Sequence, residues 1–117
     1  MKIIWSGRFT DDVKFYFNKK KYKKIFDDLE PVLLELEKNN LLGDRLQDIE
    51  LAEGTAAYKV RVTNSSTNSG KSNGYRLIYY VVIDEKIYLL TLYSKKDDNR
   101  IPTDSQISMM IKNIIEG

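Results

Sequence analysis

The chain has 117 residues, a net charge of +2, no cysteine and no histidine. That length suits one domain with one sizeable core. The two missing residue types exclude disulfides, thiolate or imidazole metal sites, and every catalytic triad built on histidine or cysteine.

No apolar run approaches the ~20 residues that span a bilayer. The apolar start Met1 to Trp5 is too short before Arg8 for a signal peptide. The cytoplasm is therefore the expected compartment, with no membrane partner. The charge is too mild to imply nucleic acid by itself, so the placement of the cations decides.

Lys2 to Trp5 predicts a short first strand. Thr10-Asp11-Asp12 offers N-cap chemistry, with acids suited to the positive end of a helix dipole, and a short helix through about Phe17 follows. Tyr22, Ile25, Phe26, Leu29, Val32, Leu33 and Leu36 recur at three and four residues and form one helical stripe. Pro31 predicts a bend or restart near Glu30, and Asn39, Asn40 and Gly43 are stop signals. Two amphipathic helices with a short joint suggest a hairpin laid on a flat surface.

Ala57 to Val62 supplies that surface, alternating Tyr58, Val60 and Val62 with Lys59 and Arg61. Thr63 to Asn73 is a Ser/Asn/Gly loop with little to bury, expected to be mobile. Gly74 to Ile83 is apolar on both faces, as in a central strand. Asp84-Glu85-Lys86 is a turn into a third long strand, Ile87 to Tyr93, so these two form an antiparallel hairpin. Thr103 and Gln106 have capping-box spacing, and Ile107, Met110, Ile111, Ile114 and Ile115 line a last helix. The order is β-α-α-β-β-β-α: an α+β fold, mainly antiparallel, with an N-terminal helical hairpin and a C-terminal helix, all in one domain.

Lys59 and Arg61 share a strand face, Arg76 lies on the next strand, and Lys95 and Lys96 end the last one. Most such cations are simply solvated. If the strands pair, however, they converge. RNA carries its own nucleophile, the 2′-hydroxyl. A protein then needs only to align it, help remove its proton and stabilise the phosphorane, which clustered cations do without metal or cofactor. Neighbouring cations would also help Lys59 accept a proton.

The Lys19 to Lys24 run, with Lys20, Lys21, Lys23 and Lys24, is the densest charge in the chain; it is either a phosphate-contacting patch or a solvated helix joint. Gly70-Lys71-Ser72 is not a nucleotide-binding loop, because Ser65 stands where the earlier glycine is needed and a strand follows. Tyr75, Tyr79, Tyr80, Tyr88 and Tyr93 are better explained as sheet core than as base-stacking platforms. No carboxylate group has metal-ligand spacing.

Tyr58 to Val62, the segment Gly70-Lys71-Ser72-Asn73-Gly74-Tyr75-Arg76 through Tyr80, and Tyr88 to Lys96 with its Tyr-x-Lys end resemble the RelE/HigB toxins of the RelE/ParE superfamily, closest to the HigB-like branch. These motifs cover roughly a third of the chain. The resemblance implies a ribosome-dependent messenger-RNA endonuclease that inhibits translation and is neutralised by a cognate antitoxin. It implies Lys59 as proton acceptor or phosphate contact with Arg61 beside it. Arg76 would stabilise the transition state, and Lys95 or Lys96 would supply charge or the leaving-group proton. Lys71, Lys96 and the lysines of the basic run would hold messenger or ribosomal RNA.

One departure stands out: no tyrosine occurs in Asp97 to Thr103, where some RelE members carry a catalytic one. Tyr93 or Tyr80 would have to stand in, and neither is favoured. The alternatives are a ParE-like gyrase inhibitor and an inactive module that only binds RNA or antitoxin.

Overall fold

The computed structural model describes residues 1–117. Five strands form one mixed sheet in the order β1-β5-β4-β3-β2: β1 (Lys2–Trp5), β2 (Asp44–Arg45), β3 (Thr55–Val62), β4 (Tyr75–Val82) and β5 (Lys86–Ser94). β1 runs parallel to β5 and the other pairings are antiparallel. Three helices complete an α+β fold: α1 (Gly7–Lys14), α2 (Ile25–Glu37) and α3 (Asp104–Glu116). No helix is long and apolar enough to cross a membrane.

The sheet separates two cores. α1 and α2 bury Phe9, Val13, Tyr16, Leu29 and Leu36 against Val60, Leu77, Tyr79 and Leu89. α3 buries Ile107 and Ile111 against Ala57, Ile78, Tyr80 and Leu90 on the opposite face. β4 is buried along nearly its whole length, as its two-sided apolar sequence requires. In α3 the capping box forms as the spacing demands, with Thr103 and Gln106 each accepting from the other's backbone amide. Met110 and Ile114 pack at its margin, while Ile115 points out.

Four expectations change. α1 begins at Gly7 with Ser6 as N-cap, its hydroxyl accepting from the Phe9 amide, so Thr10 to Asp12 do not start the helix. Asp12 is instead a buried side chain in its middle. The chain continues as a π-helical turn over Phe15–Lys19 before α2. α2 also runs through Pro31 without a break, because Leu29 and Leu36 anchor both halves in the core.

The short strand β2 was not legible, since two exposed residues carry no periodicity. The Thr63 to Asn73 loop is tied down rather than loose. Asp28 accepts from both the amide and hydroxyl of Ser65, Ser66 accepts from the Lys24 amide, and Asn64 bridges Ser69.

Candidate functional site

The α3 face of the sheet is only partly covered. Where the helix does not reach, Lys59, Arg61, Arg76 and Lys95 line one open pocket of about 440 Å³ together with Asp44, Tyr93 and Ile101. Strand register explains the gathering. Arg61 lies directly opposite Arg76, and Arg76 directly opposite Tyr93, so the three form a row across β3, β4 and β5. Lys59 follows two residues earlier on the same face. The Lys95 amide donates to the Gly74 carbonyl (3.0 Å), which extends the β4–β5 ladder and holds Lys95 at the pocket.

Arg76 is the central group. It is 7% exposed and makes no ion pair with any carboxylate. Its guanidinium donates instead to three backbone carbonyls, Lys71 (3.1 Å), Tyr75 (3.3 Å) and Ser72 (3.0 Å). The Gly-Lys-Ser-Asn-Gly loop thus acts as a clamp that fixes the orientation of this arginine. Gly74 is needed there because a Cβ at that position would collide with the Val62 carbonyl. Burial, and secondarily the Arg61 cation opposite, press its pKa downward, while Tyr93 works the other way. An arginine starts so high that it stays cationic. A buried cation that faces another cation and pairs directly with no carboxylate is a costly arrangement, and an incoming phosphate would relieve it.

Tyr93, hardly exposed, is the tyrosine of this site. Burial raises the pKa of its phenol and Arg76 partly offsets that, so it remains a neutral hydroxyl near neutral pH. Tyr80 belongs to the α3 core. Asp44, which carried no signal in the sequence, stands opposite Lys59 and puts one carboxylate at the rim. Its position depends on Gly43, whose φ of +92° turns the chain onto the β3 edge, and on the Tyr79 hydroxyl, which donates to the Leu42 carbonyl.

The other predicted contacts lie elsewhere. Lys96 falls in a separate depression with Lys20, Phe15 and the Asp97 to Arg100 turn, which distinguishes it from Lys95. Lys20 pairs with Asp97 (3.6 Å), and the Lys23 ammonium sits 3.9 Å above the Phe17 ring. Lys21 adopts a positive φ of 60° at the helix joint, and Lys24 is exposed beside it. None of these four lines the pocket. Lys71 instead lines a larger groove between α2 and β3 that shares Lys59, Arg61 and Asp44 with the pocket.

Asp12 holds the pocket's far strand in place, a role no motif announced. β1 pairs with β5 only as far as Leu89, which would leave the next amides of β5 unpaired. The 1% exposed Asp12 carboxylate accepts from the Leu92 amide (3.0 Å) and the Thr91 hydroxyl, while the Tyr16 oxygen accepts from the Ser94 amide (2.7 Å). Arg100 (2.9 Å) and Arg8 (3.2 Å) neutralise Asp12. Helix α1, through Asp12, and the π-helical turn after it, through Tyr16, therefore complete the edge of the strand that carries Tyr93.

No group of histidine, cysteine or carboxylate side chains is arranged to hold a metal ion. No protein-family model matches the chain, and no curated protein matches it significantly.

Proposed function

We propose that this protein is a toxin of the RelE/HigB type, a metal-independent endoribonuclease that cuts messenger RNA on the ribosome and is silenced by a cognate antitoxin. One observation carries the reading: Lys59, Arg61, Arg76 and Lys95 surround a single pocket, with Arg76 buried, clamped and without a counter-ion. The β-α-α-β-β-β-α order of the long elements and the Gly-Lys-Ser-x-Gly-Tyr-Arg clamp agree with the family resemblance.

In this mechanism the scissile phosphate enters the pocket and accepts hydrogen bonds from Arg76 and Arg61. The 2′-oxygen of the preceding nucleotide attacks phosphorus, giving up its proton to Lys59 or to solvent held there. The bond to the 5′-oxygen breaks, and Lys95 protonates that leaving group. The products are a 2′,3′-cyclic phosphate and a 5′-hydroxyl. Preorganised charge aimed at the phosphorane supplies most of the acceleration. Tyr93 offers a neutral hydroxyl and a ring edge beside the phosphate.

The test is expression without antitoxin, with cut sites mapped by primer extension. Arg76→Ala is expected to lower cleavage ~100-fold or more, with the unfolding midpoint little changed, because removing a desolvated cation offsets the lost hydrogen bonds. In-frame cleavage at wild-type frequency by the folded variant rejects the site. A second reading, a module that binds RNA without cutting it, is favoured by the pocket's lining, four cations able to hold a phosphate and no histidine to move a proton. Wild-type protein that protects transcripts but yields no cyclic-phosphate ends would decide for it.

A further inference from the structure

The largest cavity in the molecule, about 830 Å³, is the groove between α2 and the outer edge of β3. It adjoins the basic pocket, since Lys59, Arg61 and Asp44 line both. A strand of RNA with one phosphate in the pocket would therefore carry a neighbouring nucleotide into the groove. The volume is within the ~300–1,000 Å³ typical of small-ligand sites. Its two walls differ in charge: Lys59, Arg61 and Lys71, with Asp44 among them, stand on one side and the α2 carboxylates Asp27, Asp28 and Glu35 on the other.

Glu35 is held for use. Asn40 donates to its Oε2 (2.6 Å), which fixes the carboxylate and leaves Oε1 and a further lone pair free. The neighbouring Asp28 already accepts one hydrogen bond on each oxygen from Ser65, which leaves it less acceptor capacity than Glu35. Pro31, between them on the groove wall, has no amide hydrogen, so the Asp27 carbonyl lacks its usual helical donor and is a further acceptor. On the opposite side, the Leu46 amide bonds the Ala57 carbonyl, so by two-residue alternation the Arg61 backbone also faces outward, beyond the end of β2.

We propose that this groove is a base-recognition site for guanine in single-stranded RNA, with Glu35 reading the base, an assignment that rests on the RNA-cleaving reading above. An ionised carboxylate only accepts hydrogen bonds. Guanine alone presents two adjacent donors, N1–H and N2–H, on its Watson–Crick edge. Adenine and cytosine place a ring acceptor beside their amino group, and uracil flanks its N3–H with two carbonyls, so each sets a lone pair against the carboxylate. Lys71, which lines the groove and not the pocket, would meet the next phosphate.

The experiment is amide-resolved NMR titration of the full chain with the four nucleoside 5′-monophosphates and with inorganic phosphate. Guanosine monophosphate is expected to shift amides of Val60 to Thr63 and of α2 around Glu35, binding ~10-fold more tightly than adenosine monophosphate. Glu35→Gln should bring the two nucleotides to parity while phosphate still shifts Arg76 and Lys95. A preference that survives Glu35→Gln, or equal binding of all four bases, overturns the assignment. A silent groove with a responsive Arg76 pocket removes the guanine site and leaves the cleavage reading standing. If neither responds, both fall. Groove amides that ignore nucleotides but shift with a co-purified protein assign the groove to a protein partner and also overturn the proposal.

Discussion

Two buried charged side chains, Asp12 and Arg76, are alike in burial and opposite in consequence. Asp12 is satisfied on all sides, by two arginines, a hydroxyl and a backbone amide, and it ties α1 to β5. Asp12→Ala leaves a strand amide and two cations without their partner, so it is expected to cost roughly 3 kcal/mol in urea unfolding. A loss below about 1 kcal/mol would mean that water replaces the carboxylate and that the edge needs no side chain. Arg76 is oriented by three backbone carbonyls but has no carboxylate partner, and under the proposed function a substrate phosphate would be its anion. That asymmetry was invisible along the chain, where Asp12 resembles helix-start chemistry and Arg76 one strand cation among several.

At the scale of elements, each piece of the site is local and its assembly is not. The Gly70 to Gly74 segment makes a clamp only because β4 brings Arg76 beneath the Lys71 and Ser72 carbonyls. α2 carries the discordant Pro31 yet continues through it as one helix, with the core anchors Leu29 and Leu36 on either side. Its cost remains, however, as a missing helical hydrogen bond. Pro31→Ala should restore the bond to the Asp27 carbonyl and raise stability by roughly 1–3 kcal/mol, read as a higher urea midpoint with an unchanged m-value. An unaltered midpoint would show that the Asp27 carbonyl already has a partner. The bulge at Leu90, between the Ile78–Thr91 and Tyr79–Leu89 pairs, shifts the alternation along β5 and left no trace in its composition.

Across the whole molecule, the sheet acts as a wall between two cores, and both of them bury tyrosines. Burial raises the phenols of Tyr16, Tyr75, Tyr79 and Tyr93, with Asp97 adding to the effect at Tyr16 and Asp28 at Tyr75. The folded chain therefore holds these protons more tightly than the unfolded chain does. The resulting stability is full below the ordinary phenol value near 10 and is lost as pH rises beyond it toward the folded values. Phenolate absorbance and far-UV circular dichroism followed together are expected to show these four groups ionising with unfolding, above the ordinary range. Their ionisation with helix signal intact would contradict the packing.

The amino-acid pattern alone determined the α+β class, the three long strands, the hairpin and the capped last helix, and it put Lys59, Arg61 and Arg76 on neighbouring strands. Those features follow from periodicities of two and 3.6 residues, which a chain expresses locally. The parallel seat of β1 beside β5, the short β2 with Asp44, the choice of Lys95 over Lys96 and of Tyr93 over Tyr80, and the rescue of the β5 edge by Asp12 were decided only in three dimensions. Each depends on which residues far apart in the chain become neighbours, and no local period records that.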